Sequence, residues 1–421
     1  MFARISAVVL CAFVLLLAGP FEWPNPADLN LQLSLSLLSL AVSGLVIAAN
    51  LDKRTWATPF DVFLLAYVSV VAVTAVTSID RLQTLRASLT LGAEILLFYA
   101  TAIVARNVPG LGRAVLTIIV VAAALVQIMA LSYHVEIGFR LRPGAYPVPI
   151  GWSGYPELSA LLVVQVGILI AAVATAGRPL SRAMAIGLAG IAGIETLFLY
   201  SRTAWVACLL MGFGTTVMAD ARRWRQTLVR TAAVVLVLAG VAATIPTVRA
   251  MALSLLGISS AVRAVPGTTT PASRLSIWGK TIDMIADAPL VGVGLGNFRS
   301  IYETEYHPEL ANDLRRGAHA HNLWLHQAAE IGIVGALCLA ALWIRVLMTA
   351  WKTARRDRNF VAVGVWLALL GGAASNLIDG VPYQSLGIRV YMLHWILFGL
   401  VAGSSQAVVP DLEAGKRDHV D

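Results

Sequence analysis

Charge is scarce in this chain. Charged residues make up 13% of its 421 residues, against roughly 25% in an average soluble domain. That excludes an ordinary soluble enzyme. Cysteine is scarce too, at three. Cys11, Cys208 and Cys338 each fall inside an apolar run, with no C-x-x-C spacing, which excludes a disulfide framework or a thiolate metal cluster. The dinucleotide fingerprint is also missing. The glycines of "PLVGVGLGNF" (289–298) alternate, but no strand precedes them and the G-x-G-x-x-G spacing is absent.

What remains is apolar. Hydrophobic residues reach 58% and the mean hydropathy is +0.78. Twelve apolar runs lie near 3–20, 30–49, 58–78, 85–105, 113–133, 157–176, 183–200, 203–219, 229–248, 323–348, 360–378 and 389–405. About twenty residues of helix cross a hydrocarbon core of about 30 Å. In lipid the backbone must bond to itself, so the runs are helices. The expected fold is an all-α polytopic membrane protein with about 12 transmembrane helices. The first run follows Arg4 and is followed by "GPFEWPNP", with no small-residue cleavage site, so it reads as a span. The expected organisation is helices one to nine over 1–248, a long external loop over 249–322, helices ten to twelve over 323–405, and a tail over 406–421.

Lysine and arginine orient the spans. With both termini cytoplasmic, 18 of the 31 basic residues fall inside, and seven of the others sit in the long loop. The net charge of +8 follows from that topology and does not suggest nucleic acid. The arginines left in short external segments are the anomaly. Arg202, in "LFLYSRTAW" (197–205), has almost no loop around it and sits at the membrane surface between helices seven and eight. An ionisable residue there needs a partner or a wet cavity. Snorkelling to lipid headgroups is one reading and an anion site is the other. Arg140 and Arg142 belong to the second-longest external loop, and Arg81 and Arg86 flank "LQTL". Together they make an external basic rim suited to an anionic group. The last external loop adds Asp379, Tyr383 and Arg389, which either line a substrate or cap helices eleven and twelve.

The long loop contains its own helix. Thr270 and Pro271 read as N-cap and first helical position. Leu275, Trp278, Ile282 and Ile285 then share one face, with Ser276, Lys280, Asp283 and Asp287 opposite. This is the pattern of an amphipathic helix lying on a membrane or on the bundle top. Arg274 stands one turn before Trp278, at the edge of the apolar stripe. A cation is unfavourable in a first helical turn unless it shares an anion with the helix N-terminus.

The loop ends in "AHAHNLWLHQAAEIGIVG" (318–335). Asn322 is placed to cap the tenth span at Leu323, with His321 just before it at the bundle mouth. His326 and Glu330 are four apart and within reach of each other. Gly332 and Gly335 allow close packing. The histidines could ligate a metal, serve structure, or supply one general base. Imidazole titrates near neutrality, and no thiol or carboxylate set completes a metal site.

These residues resemble the O-antigen ligase and polymerase superfamily of bacterial envelope glycosyltransferases. The strongest likeness is His321-Asn322, nine residues, then Gly332-x-x-Gly335, with "SRLSIW" (273–278), "PLVGVGLGNF" and "YSRTAW" (200–205) in support. Ala336 stands where the ligase signature often has Ser or Thr. The resemblance implies a GT-C-type fold with one long periplasmic loop in the bacterial inner membrane. It implies inverting transfer of a glycan from undecaprenyl diphosphate to a sugar hydroxyl of the lipid A core oligosaccharide, needing neither nucleotide nor metal. On that basis His321 is expected as general base. Arg202 and Arg274 would bind the donor diphosphate, and His319, Arg142, Arg140, Arg86 and Arg389 would be further substrate contacts. The alternatives are a polymerase joining repeats on the carrier, or a transporter of lipid-linked sugar. Glu94 and Glu195 are the main charges at mid-membrane.

Overall fold

A computed structural model of the chain describes residues 2–20, 29–50, 56–136, 155–199, 201–219, 225–226, 229, 271–307, 319–379 and 387–405. Eight helices come first: α1 (Phe2–Ala18), α2 (Leu29–Ala48), α3 (Asp61–Thr77), α4 (Arg81–Asn107), α5 (Leu111–Glu136), α6 (Tyr155–Thr175), α7 (Pro179–Phe198) and α8 (Arg202–Ala219). Then come α9 (Pro271–Asp287), α10 (Phe298–Ile301) with a π-helical turn (Tyr302–Tyr306), α11 (Leu323–Asp357), α12 (Phe360–Asp379) and α13 (Ile388–Ser405). There is no strand among the described residues.

Eleven of the twelve apolar runs coincide with these helices, and the run near 229–248 lies, but for residue 229, outside the described residues. Among the described residues, six helices are long and apolar enough to cross a membrane: α4, α5, α6, α11, α12 and α13. Stretches of α1, α2, α3 and α8 are apolar but shorter.

Small residues set the closest approaches. A Cβ at Gly167 of α6 would lie 2.7 Å from the backbone nitrogen of Ala368 on α12. A Cβ at Gly399 of α13 would lie 2.7 Å from the Phe98 carbonyl oxygen on α4. Between apolar helices in lipid the gain comes from such tight contact and from interhelical hydrogen bonds. The α2–α4 pair shows the second kind. Ser36 and Thr90 hydroxyls meet at 2.9 Å, and Ser39 donates to the Ala93 carbonyl at 3.3 Å.

The loop after α9 is built into α11. At Ile331 and Gly332 the helix leaves helical geometry, with Gly332 at φ 72° and ψ 168°. The backbone groups freed there bond to the loop instead. Val293 N–H donates to the Ala329 carbonyl at 3.0 Å, Gly294 N–H to the Glu330 carbonyl at 2.8 Å, and Ile333 N–H to the Pro289 carbonyl at 2.8 Å. The loop can lie this close because its glycines have no Cβ. At Gly292 one would fall 2.4 Å from the Glu330 carbonyl oxygen. The alternating glycines therefore serve close backbone packing.

Asn297 secures the other side. Fully buried, its Nδ2 lies 2.7 Å from Ser78 Oγ, 3.2 Å from Thr84 Oγ1 and 3.1 Å from the Val293 carbonyl oxygen. Ile79 N–H also donates to the Val293 carbonyl at 3.2 Å. The loop is thus fastened between the α3–α4 turn and the α11 break.

Gly332→Ala should destabilise the protein by about 2 kcal/mol or more, because an L-residue at this φ is strained. Its Cβ would also fall 2.1 Å from the Leu290 carbonyl oxygen. Heating in lipid nanodiscs should show a lowered Tm. Gly279→Ala, with nothing within 4 Å on the exposed face of α9, should leave it unchanged or raised.

Candidate active site

The helix ends expected to face outward gather at one end of the bundle. Asn322 joins the start of α11 to the end of α12, its Nδ2 donating to the Leu377 carbonyl at 3.0 Å. Arg389, at the start of α13, joins the end of α1 by donating to the Leu17 and Gly19 carbonyls at 2.9 and 2.7 Å. The α3–α4 turn is held there through Asn297. At the opposite end, the α4–α5 turn, the α11–α12 turn and the end of α13 line one cavity of about 190 Å³.

The predicted cap is present. Asn322 Oδ1 accepts from the Trp324 and Leu325 N–H groups at 2.9 and 3.1 Å, so α11 starts at Leu323 as expected. His321 is buried, with φ 49°. Few L-residues enter this left-handed region, and histidine does so more readily than most. Such a residue costs about 1 kcal/mol or more unless its surroundings over-determine it. Both flanks of His321 are fixed. Asn322 caps the helix on one side, and on the other Trp278 Nε1 donates to the Ala320 carbonyl at 2.8 Å. The rings of His319 and His321 lie 3.8 Å apart, with His319 half-buried.

The same Trp278 bond brings α9 to the histidine segment. The helix begins at Pro271 as predicted, but its inward face differs from the expected one. Ile277, Trp278, Thr281, Met284 and Ile285 are buried or half-buried, while Leu275 and Ile282 are 66% and 55% exposed. The apolar residues of α9 do not form a single stripe. Packing against Phe298, Ile301 and Tyr302 selects the Ile277–Met284 side. Arg274 is half-buried on this inward face, not at its edge. It precedes Trp278 by about 6 Å of helix rise.

Arg202 opens α8. Its side chain lies outside the described residues, but its helix end can be placed. Ser201 Oγ accepts from the Ala204 N–H at 3.3 Å, and α7 ends only at Phe198. The two helices are joined with almost no loop, as read. α8 packs antiparallel on α12, with Gly214 against Trp366 and Met211 against Gly371. About 14 Å of helix separates Met211 from Arg202, and about 9 Å separates Gly371 from Leu377. The α8 start therefore lies level with the end of α12, where Asn322 is anchored.

Not every candidate joins this arrangement. Arg86 is exposed on α4, within two turns of the fastened α3–α4 turn. Arg389 is 3% exposed and its guanidinium is committed to α1 carbonyls, which is a structural use. Arg140, Arg142 and Tyr383 lie outside the described residues, as does the Asp379 side chain. His326 turns inward. Its ring lies 4.4 Å from that of Phe298, and its Nε2 lies 3.4 Å from Glu330 Oε1, the pairing their spacing allows.

Three residues have roles that the sequence reading did not assign. Glu330 accepts from the Phe298 N–H at 3.2 Å as well as facing His326, and so organises α10 beneath the site. Asn297 and Trp278 act through contacts far along the chain, which spacing does not disclose. Farther out, burial and the hydrogen bond to Asp287 hold the Tyr306 phenol well above its usual range, so it stays a donor joining the π turn to α9.

Residues 187–340 match the family model for O-antigen ligase. The match supports assignment of the chain to the O-antigen ligase family. No curated protein matches the chain. The segment that matches the O-antigen ligase model runs from α7 to the middle of α11. It contains Arg202, Arg274, His319, His321, the α11 break and Asn297, and leaves out Arg86, Arg140, Arg142 and Arg389.

Trp278→Phe removes one hydrogen bond while keeping an aromatic ring, at a cost of about 1 kcal/mol. Hydrogen–deuterium exchange should show faster exchange in residues 319–322 and little change in α12. Unchanged exchange would mean that the bond does not hold the histidine segment.

Proposed function

We propose that the chain is an O-antigen ligase. It transfers a glycan from undecaprenyl diphosphate to a sugar hydroxyl of the lipid A core, at the periplasmic face of the bacterial inner membrane. One observation carries this reading. His321 is held in a left-handed conformation at the end of the bundle where α8 opens with Arg202, and it is tied through Trp278 to the helix that carries Arg274. The family match over this segment supports it.

In the proposed reaction the acceptor hydroxyl attacks the anomeric carbon from the face opposite the diphosphate, and the configuration inverts. His321 takes the hydroxyl proton as the C–O bond forms. The bond from the anomeric carbon to the diphosphate oxygen breaks, and its electron pair leaves on undecaprenyl diphosphate. Arg202 and Arg274 balance the charge that develops there. A well-placed donor of this kind is worth about 3 kcal/mol in the transition state. A guanidinium suits the task because its planar fork bonds two phosphate oxygens at once. His319 and Arg86 are assigned to the rim of the site, with Arg140 and Arg142 as further substrate contacts.

The exposed Leu275 and Ile282 on α9 fit a helix resting on the membrane, covering the donor and limiting hydrolysis. The basic residues near the opposite end, among them Arg106, Arg113, Lys352 and Arg355, support a cytoplasmic position for that end. The organisation proposed is that of nine spans over 1–248, a periplasmic loop over 249–322, three spans over 323–405 and a cytoplasmic tail. Ala336, where the ligase signature often has Ser or Thr, favours the second reading, a polymerase that joins repeats on the carrier.

The test is ligation by purified protein in nanodiscs with lipid-linked glycan and lipid A core. His321→Ala should lose about a hundredfold or more in turnover, and Arg202→Lys and Arg274→Lys should each lose most activity while remaining folded. Near-normal turnover in folded His321→Ala would remove the base. Growth of chains on the carrier with no labelled lipid A core would replace the ligase by the polymerase.

A further inference from the structure

Below the site, two small cavities of about 20 Å³ each meet at Tyr391 and His394 of α13. The outer one is also lined by Glu157, Ser375, Asn376 and Gly387, from the end of the bundle that carries His321. The inner one is lined by Tyr67, Glu94, Leu323 and Gln327, and so lies directly under the first turns of α11. Most of their polar residues are sealed from solvent. Glu94 is 1% exposed, Gln327 0%, His394 4% and Asn376 5%.

Several polar atoms here have no protein partner. They are both ring nitrogens of His394, Glu94 Oε1, Gln327 Nε2, Asn376 Nδ2 and Ser375 Oγ. Their neighbours are bonded. Tyr67 donates to Gln327 Oε1 at 3.0 Å, Tyr391 donates to Asn376 Oδ1 at 3.2 Å, and Trp395 hydrogen-bonds Glu94. A buried polar atom left unbonded costs about 1–3 kcal/mol, and six in one place are not sustained without an occupant. A cavity needs about 10–15 Å³ on this measure, and two to four polar partners, to hold a water molecule. Both cavities meet those conditions.

The bundle also makes room for the imidazole. A Cβ at Gly372 of α12 would fall 2.2 Å from His394 Nε2. No lysine or arginine lines either cavity. The titratable groups around His394 are Glu94 on α4, Tyr67 on α3, Tyr391 on its own helix and Glu157 at the outer end. With no cation to balance a carboxylate, the least costly state of the inner cavity is one proton shared between Glu94 and His394, both neutral when it rests on the carboxyl.

We propose that these cavities form one hydrated chamber inside the bundle, binding water and a single proton on Glu94, with His394 as the link to the outer end. The water nearest His394 takes or returns the Glu94 proton, and the chamber gains or loses nothing else. The glycosyl-transfer reading is not needed for this inference.

Infrared spectroscopy of the full chain in nanodiscs tests it, with Glu94→Gln identifying the Glu94 band. The expected result is a protonated carboxyl band, absent in Glu94→Gln, that shifts within minutes of transfer into D₂O. In His394→Phe, which removes both ring nitrogens, that shift should slow at least tenfold. Asn376→Leu, on the outer wall, should slow it too and serves if His394→Phe does not fold. No protonated Glu94 band, a band that never exchanges, or an unchanged rate in the folded variants would each overturn the proposal.

Discussion

The site rests on an exchange of backbone hydrogen bonds at the break in α11. In an apolar bundle a helix cannot interrupt its own bonding without a substitute, because no water is at hand to replace a lost partner. Here the loop from Pro289 to Gly294 supplies it, giving two N–H groups and one carbonyl to the freed positions. The loop cannot drift from the helix without leaving polar groups unpaired. Everything attached to it inherits that position, including α9 before it and α10 after it.

From this anchor the geometry extends outward in steps. Asn297 locks the loop to the α3–α4 turn. Glu330, beside the break, holds both His326 and the start of α10. Trp278 then reaches from α9 to Ala320, so that His321 is caught between a tied carbonyl and a capped helix. The unfavourable backbone conformation at His321 persists because its neighbours on both sides have no freedom to relax it. His321 thus stands strained at one end of the bundle, with the start of α8 and the tied helix α9 brought to the same end.

Much of this was legible in the sequence because its causes are local. The apolar runs name the helices, since length and composition alone decide whether a segment suits lipid. Asn322 as a cap, Pro271 as a helix start, the short α7–α8 connection and the His326–Glu330 pair follow from spacing within a few residues. The inward face of α9 was misread for the opposite reason. Leu275 and Ile282 are as apolar as Ile277 and Met284, and which side is covered depends on α10 and α11, not on periodicity. Arg389 shows the same limit: its place at the start of the last apolar run was readable, but its commitment to the end of α1 spans most of the chain.

Composition and pattern by themselves determined a helical chain apolar enough for a membrane, the order of its apolar segments, a helix starting at Pro271, and the residue types available for acid–base and anion chemistry. Only the tertiary structure decided that α11 breaks at Gly332 and that the alternating glycines fill the break. It alone brought Trp278 to Ala320, turned Arg274 inward, and gathered unpartnered polar groups around His394. Each of these is a contact between segments distant in sequence. Its strength comes from the cost of leaving a polar group unbonded in an apolar interior, and a linear pattern does not record where that cost falls.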